Sequence, residues 1–305
     1  RMKKTGTTLR EIRENAMLSA TKFYRGILSL QYAYRVEANT QLLSKEKMNE
    51  LLDRHNMLID EFYFVQRDYK LTELEEILYE FFQMKSTLDV KKMQSFVQTI
   101  DDKLADRENQ FYENLKQIML AYIDFNKTQN IESIRSVIQV IWIQLAKKNQ
   151  WSYCELVLMC NVVFVFELDD LESMIKRLFK ELNRYQQFKN IDELQVKAWF
   201  NYCTILRING RMKETKTLLR NALERSIILN NGFLIYECKF RLYELDWVEN
   251  EIEHREVLHD QVQRIIDALH LMEREAEAID LVQDWKKRTG TQLKITGKSY
   301  VAAGV

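Results

Sequence analysis

Apolar residues recur along most of the chain at spacings of three and four, the period that lines one face of a helix. Over residues 7–66 this pattern predicts five short helices. Thr7 or Thr8 caps the first, with Leu9 and Ile12 on one face. Residues 19–25 form the second, and Gly26 permits the tight turn after it. Ser29 caps the third, which runs to about Ala38. Ser44 caps the fourth, where Met48, Leu51 and Leu52 form an apolar stripe; Lys47 stands where a capping box needs an acid or amide. The fifth holds Ile59, Phe62 and Phe64.

From Leu71 onward the helices lengthen and pair. The pattern places them at 71–85, 89–105, 108–126, 131–148, 151–166, 168–186, 191–209, 212–229, 233–248, 252–271 and 273–288. Polar clusters separate them: Asn126–Asn130, Lys148–Gln150, Asn209–Gly210 and Asn230–Gly232. One pair carries large and small residues at the positions of a tetratricopeptide hairpin. Trp199, Tyr202, Cys203 and Leu206 precede Gly210, and Thr215, Leu219 and Ala222 follow it. Leu269 to Ala278 echoes the same pattern, with Ala278 in the small position. A single hairpin cannot bury its apolar face alone, so several must stack.

Composition strengthens the all-helical reading. The chain has 305 residues, no proline and only seven glycines. Proline removes a helix hydrogen bond and clashes with the preceding turn, so its absence favours helix after helix. Net charge is zero, but residues 1–35 carry eight Lys/Arg against Glu11 and Glu14, a local +6 balanced elsewhere. A basic head on an acidic body suits a polyanionic partner. Cys154, Cys160, Cys203 and Cys238 form no CxxC and read as reduced core thiols. No stretch is apolar for long enough to span a bilayer; the longest is Val162–Phe166. With no signal peptide in view either, a cytoplasmic protein is expected. Arg1 ahead of Met2 reads as an addition to a natural start at Met2.

The first helices fit a helix-turn-helix module. The second and third join at Gly26–Leu28, and the third presents its N-terminal residues to the major groove. On that geometry Gln31 pairs with adenine, and Arg35 with guanine or a phosphate. Thr21, Lys22 and Ser29 are placed for backbone phosphates. Tyr32 packs on a thymine methyl or contacts a phosphate.

Several stretches resemble a known family. Leu9-Arg-Glu-Ile-Arg13, Ile27-Leu-Ser29, Arg35-Val-Glu37 and Ile59-Asp-Glu-Phe62 look like the Cro/C1-type helix-turn-helix, and more narrowly the head of the Rgg/MutR regulators of Gram-positive bacteria. Trp151-Ser-Tyr-Cys-Glu155-Leu, then Asn161, resembles the tryptophan–glutamate–leucine–asparagine stretch of those regulators, and Asn201 followed by Gly210 their next hairpin. The resemblance spans about residues 5–290. It implies a homodimer joined through the repeats, bound to palindromic operators and switched by short imported peptides. It also implies an ion pair, Arg13 with Glu37, that ties the first helix to the third and positions it. Two residues depart from the pattern. Ala20 replaces the usual glutamine and removes one expected phosphate contact; Asn39 replaces a glycine but tolerates a left-handed cap.

For the peptide, repeat geometry puts the first helices of the hairpins on a concave face. Lys197 and Asn201, four apart, share one side of a helix. The amide of Asn201 suits a peptide backbone, and Lys197 a terminal carboxylate. Asn161 and Tyr236 are expected on adjacent inner helices, while Trp151 reads as a packing anchor.

Enzyme signals are poor. His55, His254, His259 and His270 lack metal-ligand spacing, and no GxSxG or GxGxxG exists. Gly297-Lys-Ser299 imitates the end of a phosphate loop, but Gly290 is too far upstream and too few residues follow. Asp101-Asp102 and Asp169-Asp170 read as helix N-terminal charges. The expectation is an all-α protein with no cofactor and no metal. It has a helix-turn-helix domain over 1–68, a tetratricopeptide-like superhelix over 69–290 for peptide binding and dimerisation, and a tail over 291–305. Its function is that of a DNA-binding, peptide-controlled transcriptional regulator. The alternative is a repeat scaffold for protein partners with a vestigial head, a reading that Ala20 keeps open.

Overall fold

The computed structural model describes residues 2–84, 90–166, 168–249 and 254–295. The Gly297-Lys-Ser299 sequence and the tail from residue 296 lie outside the described residues. All regular structure among the described residues is helical. Five short helices come first: α1 (Thr5–Asn15), α2 (Ala20–Phe23), α3 (Leu30–Glu37), α4 (Lys45–Arg54) and α5 (Ile59–Gln66). Then follow α6 (Glu73–Gln83), α7 (Val90–Asp106), α8 (Gln110–Thr128), α9 (Ile131–Ala146), α10 (Tyr153–Val162) and α11 (Leu168–Arg184). The chain continues through α12 (Ile191–Ile208), α13 (Thr215–Ile228), α14 (Gly232–Glu249), α15 (Arg255–Leu271) and α16 (Glu275–Thr289).

Local capping explains many of these starts. The hydroxyls of Ser19, Ser29 and Ser44 accept from the backbone N–H three residues on, opening α2, α3 and α4. Thr72 with Glu75, and Ser152 with Glu155, form complete capping boxes at α6 and α10. The first helix departs from expectation. It starts at Thr5, so Thr7 and Thr8 lie inside it, and Lys4 before it gives no side-chain cap. A tertiary acceptor serves instead: Asn39 Oδ1 takes the Gly6 N–H at 2.9 Å. Asp101 and Asp102 also sit elsewhere than expected, late in α7, where Asp101 pairs with Lys116 at 2.6 Å and Asp102 accepts from Gln98. Asp169 and Asp170 fall in the first turn of α11.

The chain divides into two compact units, Arg1–Phe96 and Val97–Val305, with the boundary inside α7. The core of the first gathers Leu9, Phe23, Tyr24, Val36, Leu51 and Phe62, all essentially buried. In the second unit successive helices pack as antiparallel neighbours: α8 with α9, α10 with α11, α12 with α13, α14 with α15, and α15 with α16. Alternate helices also touch, α8 to α10, α10 to α12 and α14 to α16, as in a stack of hairpins. Ala222 and Ala278, the small residues of the repeat pattern, are fully buried where helices approach. Gly210, at φ 75°, makes the turn between α12 and α13 in a left-handed conformation that other residues adopt with strain.

Candidate functional site

The outward side of α2 and α3 is built by what α3 buries. Ala33, Val36 and Glu37 face inward, so Gln31, Tyr34 and Arg35 face water, joined by Thr21 and Lys22 on α2. Gly26, at φ 75°, turns the chain between the two helices. Among the described residues, the side chains of Thr21, Lys22, Gln31 and Arg35 make no hydrogen bond or ion pair, so their donors point to solvent. Ser29 is exposed and caps α3 through Tyr32 N–H, which leaves its own hydroxyl proton available. Tyr32 is placed differently from the sequence expectation. Its hydroxyl donates to the Leu42 carbonyl at 2.7 Å, its ring lies under Lys47 Nζ, and it packs on the head core. The aromatic ring on the outward side is Tyr34, which is 55% exposed. Sequence reading missed it, although the three-residue step from Gln31 marks it. Ala20 is buried in the core, so the exposed positions at the start of α2 are Thr21 and Lys22.

A buried polar lock sets where α3 stands. A methyl group on Gly6 would lie 1.8 Å from the Val36 carbonyl oxygen, so only glycine lets α1 cross α3 this closely. Asn39, in the left-handed region at φ 58°, accepts from Gly6 N–H and donates to Thr7 Oγ1 at 2.9 Å. Glu37 is buried. Arg13 reaches it with Nε and Nη2, at 2.7 and 3.0 Å, in a two-pronged pair. Arg10 adds a bond to the Glu37 carbonyl at 3.1 Å and an ionic contact at 3.5 Å. Burial pushes the Glu37 carboxyl up, but the Arg13 hydrogen bonds and the nearby guanidinium charges outweigh it and hold the group below the usual glutamate range.

The expected peptide residues divide. Asn161 on α10 accepts from Lys197 Nζ on α12 and donates to the Val157 carbonyl at 2.6 Å. Asn201, one turn after Lys197, donates to the Cys160 carbonyl at 3.3 Å. These three side chains therefore share the α10–α12 surface. Lys197 is solvent-accessible, yet desolvation by the surrounding protein lowers its pKa. Tyr236 does not join them. It is half-buried against the C-terminal core of Phe240, Val262 and Trp285, on a different side of α14.

A charged network that sequence reading missed links α12, α14 and α16. Glu244, fully buried on α14, accepts from Arg207 of α12 and from Arg241, both at 2.9 Å. Asp284 of α16 meets Arg207 at 3.4 Å and Arg241 at 2.8 Å. Burial raises the Asp284 carboxyl, but the two guanidiniums overcome that and hold it low. The signal was the i, i+3 spacing of Arg241 and Glu244 on one helix. Its partners on two other helices follow only from the stacking. Trp151 is a packing anchor: it is buried, its indole donates to the Leu145 carbonyl, and its backbone N–H reaches the buried carboxylate of Glu181.

Among the described residues no His, Cys, Asp and Glu group is arranged to hold a metal, and no helix is long and apolar enough to cross a membrane. The four cysteines are unpaired; burial raises the thiols of Cys160, Cys203 and Cys238 to about 12, which keeps them protonated and inert.

No family profile and no curated protein matches the sequence. Solved structures do match. A candidate transcriptional regulator from Listeria monocytogenes EGD-e is 22% identical and superposes with a TM-score of 0.78, covering 96% of this chain and 100% of that one. Bacillus thuringiensis PlcR, solved in complex with the peptide PapR7 and DNA, is 17% identical, with a TM-score of 0.62 over 92% of this chain and 99% of that one. The Streptococcus dysgalactiae SHP pheromone receptor Rgg2 is 14% identical, with a TM-score of 0.63 over 93% and 99%. With its helical head and its stacked hairpins both included in those superpositions, the chain has the fold of the regulators PlcR and Rgg2.

Proposed function

We propose that the chain is a sequence-specific, DNA-binding transcriptional regulator. In this reading it is a cytoplasmic homodimer, switched by a short peptide held on the repeat unit. The observation that carries it is the outward side of α3. An internal lock of Gly6, Asn39, Arg13 and Glu37 fixes the helix, while the side chains of Gln31, Tyr34 and Arg35 have no partners among the described residues. A scaffold with a vestigial head has no need for that combination of rigid placement and uncommitted donors.

On duplex DNA, Thr21, Lys22 and Ser29 donate to phosphates and set the register. Gln31 and Arg35 point at base edges, where a bidentate pair discriminates bases. Arg13 and Glu37 touch no base; they position α3. The peptide lies against Asn161, Lys197 and Asn201, where the two amides offer both donors and acceptors to an extended backbone. It acts by favouring one stacking of the hairpins over another, and must bind that arrangement more tightly to shift the population. The separation of the two heads then decides which half-site spacing is read. The known partners of two proteins with this fold support the reading: PlcR was solved with a peptide and DNA, and Rgg2 is a pheromone receptor.

The test is a selection of DNA sites from a random duplex library, followed by a gel shift across salt concentrations. A palindromic site bound with steep salt dependence, and lost in Arg35→Ala while the head stays folded, supports the regulator. Absence of selective binding by a folded head at low salt defeats it and favours the scaffold.

A further inference from the structure

The ionic network borders a cavity of about 460 Å³ between α12, α14 and α16, in the size range of small-ligand sites. Its lining includes Arg207 and Ile208, Glu244, Asp284, Lys287 and Arg288. The deep part is neutral, because the carboxylates of Glu244 and Asp284 are balanced by the guanidiniums of Arg207 and Arg241. The opening is not neutral. Lys287 and Arg288 are exposed and make no ion pair among the described residues. Arg207 is held between two carboxylates, and those bonds engage two of its five N–H donors. Ile208, 77% exposed despite being apolar, stands beside these cations.

A clamped guanidinium, two free cations and an uncovered isoleucine around one cavity suit a carboxylate carried next to an apolar group. We propose that this cavity is the carboxylate subsite of the peptide ligand. Arg207, Lys287 and Arg288 receive either the carboxyl terminus or an acidic side chain, and Ile208 covers the neighbouring apolar side chain. The inference rests on the peptide-binding reading above and adds a site that Asn161, Lys197 and Asn201 do not include. Because its cations come from α12 and α16, an anion there bridges two helices of the stack, a direct route from ligand to hairpin arrangement.

The experiment uses the full chain and a degenerate pool of short apolar peptides in four versions. Each carries a free or an amidated carboxyl terminus, and one Asp or one Asn. Bound peptides are recovered by size exclusion and quantified by mass spectrometry for the wild type, Lys287→Ala/Arg288→Ala and Lys287→Arg. Both α16 cations are exposed, so their truncation removes no core packing, and circular dichroism verifies the fold. The expected result is an enrichment of carboxylate-bearing peptides of about tenfold or more, the scale of a charge-assisted bond. It disappears in the double alanine variant and persists in Lys287→Arg. Whether free termini or Asp peptides are enriched identifies the source of the carboxylate. Retention of acid and amide forms alike by the wild type overturns the subsite and leaves peptide binding standing. So does a preference that survives the double variant, or a double variant that loses stability alone, its cations serving only the α16 helix dipole. No retained peptide of any version overturns the subsite and the peptide-sensing reading together.

Discussion

The head and the repeat unit dispose of their charges in opposite ways. In the head the buried pair of Arg13 and Glu37 looks inward, between α1 and α3, while Lys22 and Arg35 on the outer side stay unpaired. In the repeat unit the central charges of α12, α14 and α16 are matched to one another, with Arg207 and Arg241 against Glu244 and Asp284, while Lys287 and Arg288 at the edge of that network make no ion pair among the described residues. The difference follows from the partner each surface suits. A polyanion supplies its own counter-charge at every contact, so free cations on a rigid helix are productive. A curved stack of helices has to hold together without a ligand, and charges paired across three helices help to do that.

The strongest way to break the head's side of the comparison is Gly6→Ala. Its methyl group collides with a backbone carbonyl that cannot rotate away, so α1 and α3 must separate, at a cost of more than about 3 kcal/mol. All five tryptophans lie in the second unit. Far-UV circular dichroism will therefore show an early head transition that tryptophan fluorescence does not follow. A single coincident transition at the wild-type midpoint would defeat the close-packing claim.

Arg13→Ala comes next. It strands the buried Glu37 with Arg10 and the Tyr24 hydroxyl beside it and costs about 3 kcal/mol. Glu181→Ala in the repeat unit leaves Arg177 and Arg184, which reach water, and costs less, about 2 kcal/mol. Denaturant titration of both variants tests the order. The same pair sets an acid limit. Glu37 has a folded pKa below its ordinary value, so its stabilisation is present above the glutamate range and is lost as the pH falls through the folded value. Amide protection factors in α1 and α3, corrected for the intrinsic exchange rate, should fall in acid in the wild type, and in Arg13→Ala should already be low at neutral pH. Equal exchange in the two proteins at neutral pH would contradict this.

Arg35→Ala sharpens the outward side. It should weaken binding to the selected site by about 1–3 kcal/mol and relax specificity at one base pair, with an unchanged melting temperature. A loss of stability instead would mean that Arg35 serves the fold. The smallest effect is expected from caps. Ser29→Ala and Ser152→Ala should each cost about 1 kcal/mol, seen as a lower unfolding midpoint, but only Ser29→Ala should also reduce DNA affinity. Equal DNA affinities for the two variants would remove Ser29 from the proposed interface.

Much of the fold is readable in the chain because its signals are local. Helix periods, the Ser29 and Ser44 caps, the Gly26 and Gly210 turns and the small residues Ala222 and Ala278 each depend on neighbours within a turn or two. The errors lie where a distant partner replaced a local one. Asn39 supplied the acceptor at the start of α1 that Thr7 and Thr8 were expected to provide. The Leu42 carbonyl took the Tyr32 hydroxyl, and Tyr34 became the outward ring. Tyr236 turned to the C-terminal core because the apolar side of α14 is set by what α15 and α16 present to it.

By itself the sequence determined an all-helical chain with a basic head and stacked hairpins, since proline-free periodicity and capping act over a few residues. Only the tertiary structure decided which side chains remain free. Gly6 gains its meaning from Val36, and Arg207 from Glu244 and Asp284. Such pairings join residues tens of positions apart, and the packing of whole helices brings them within reach.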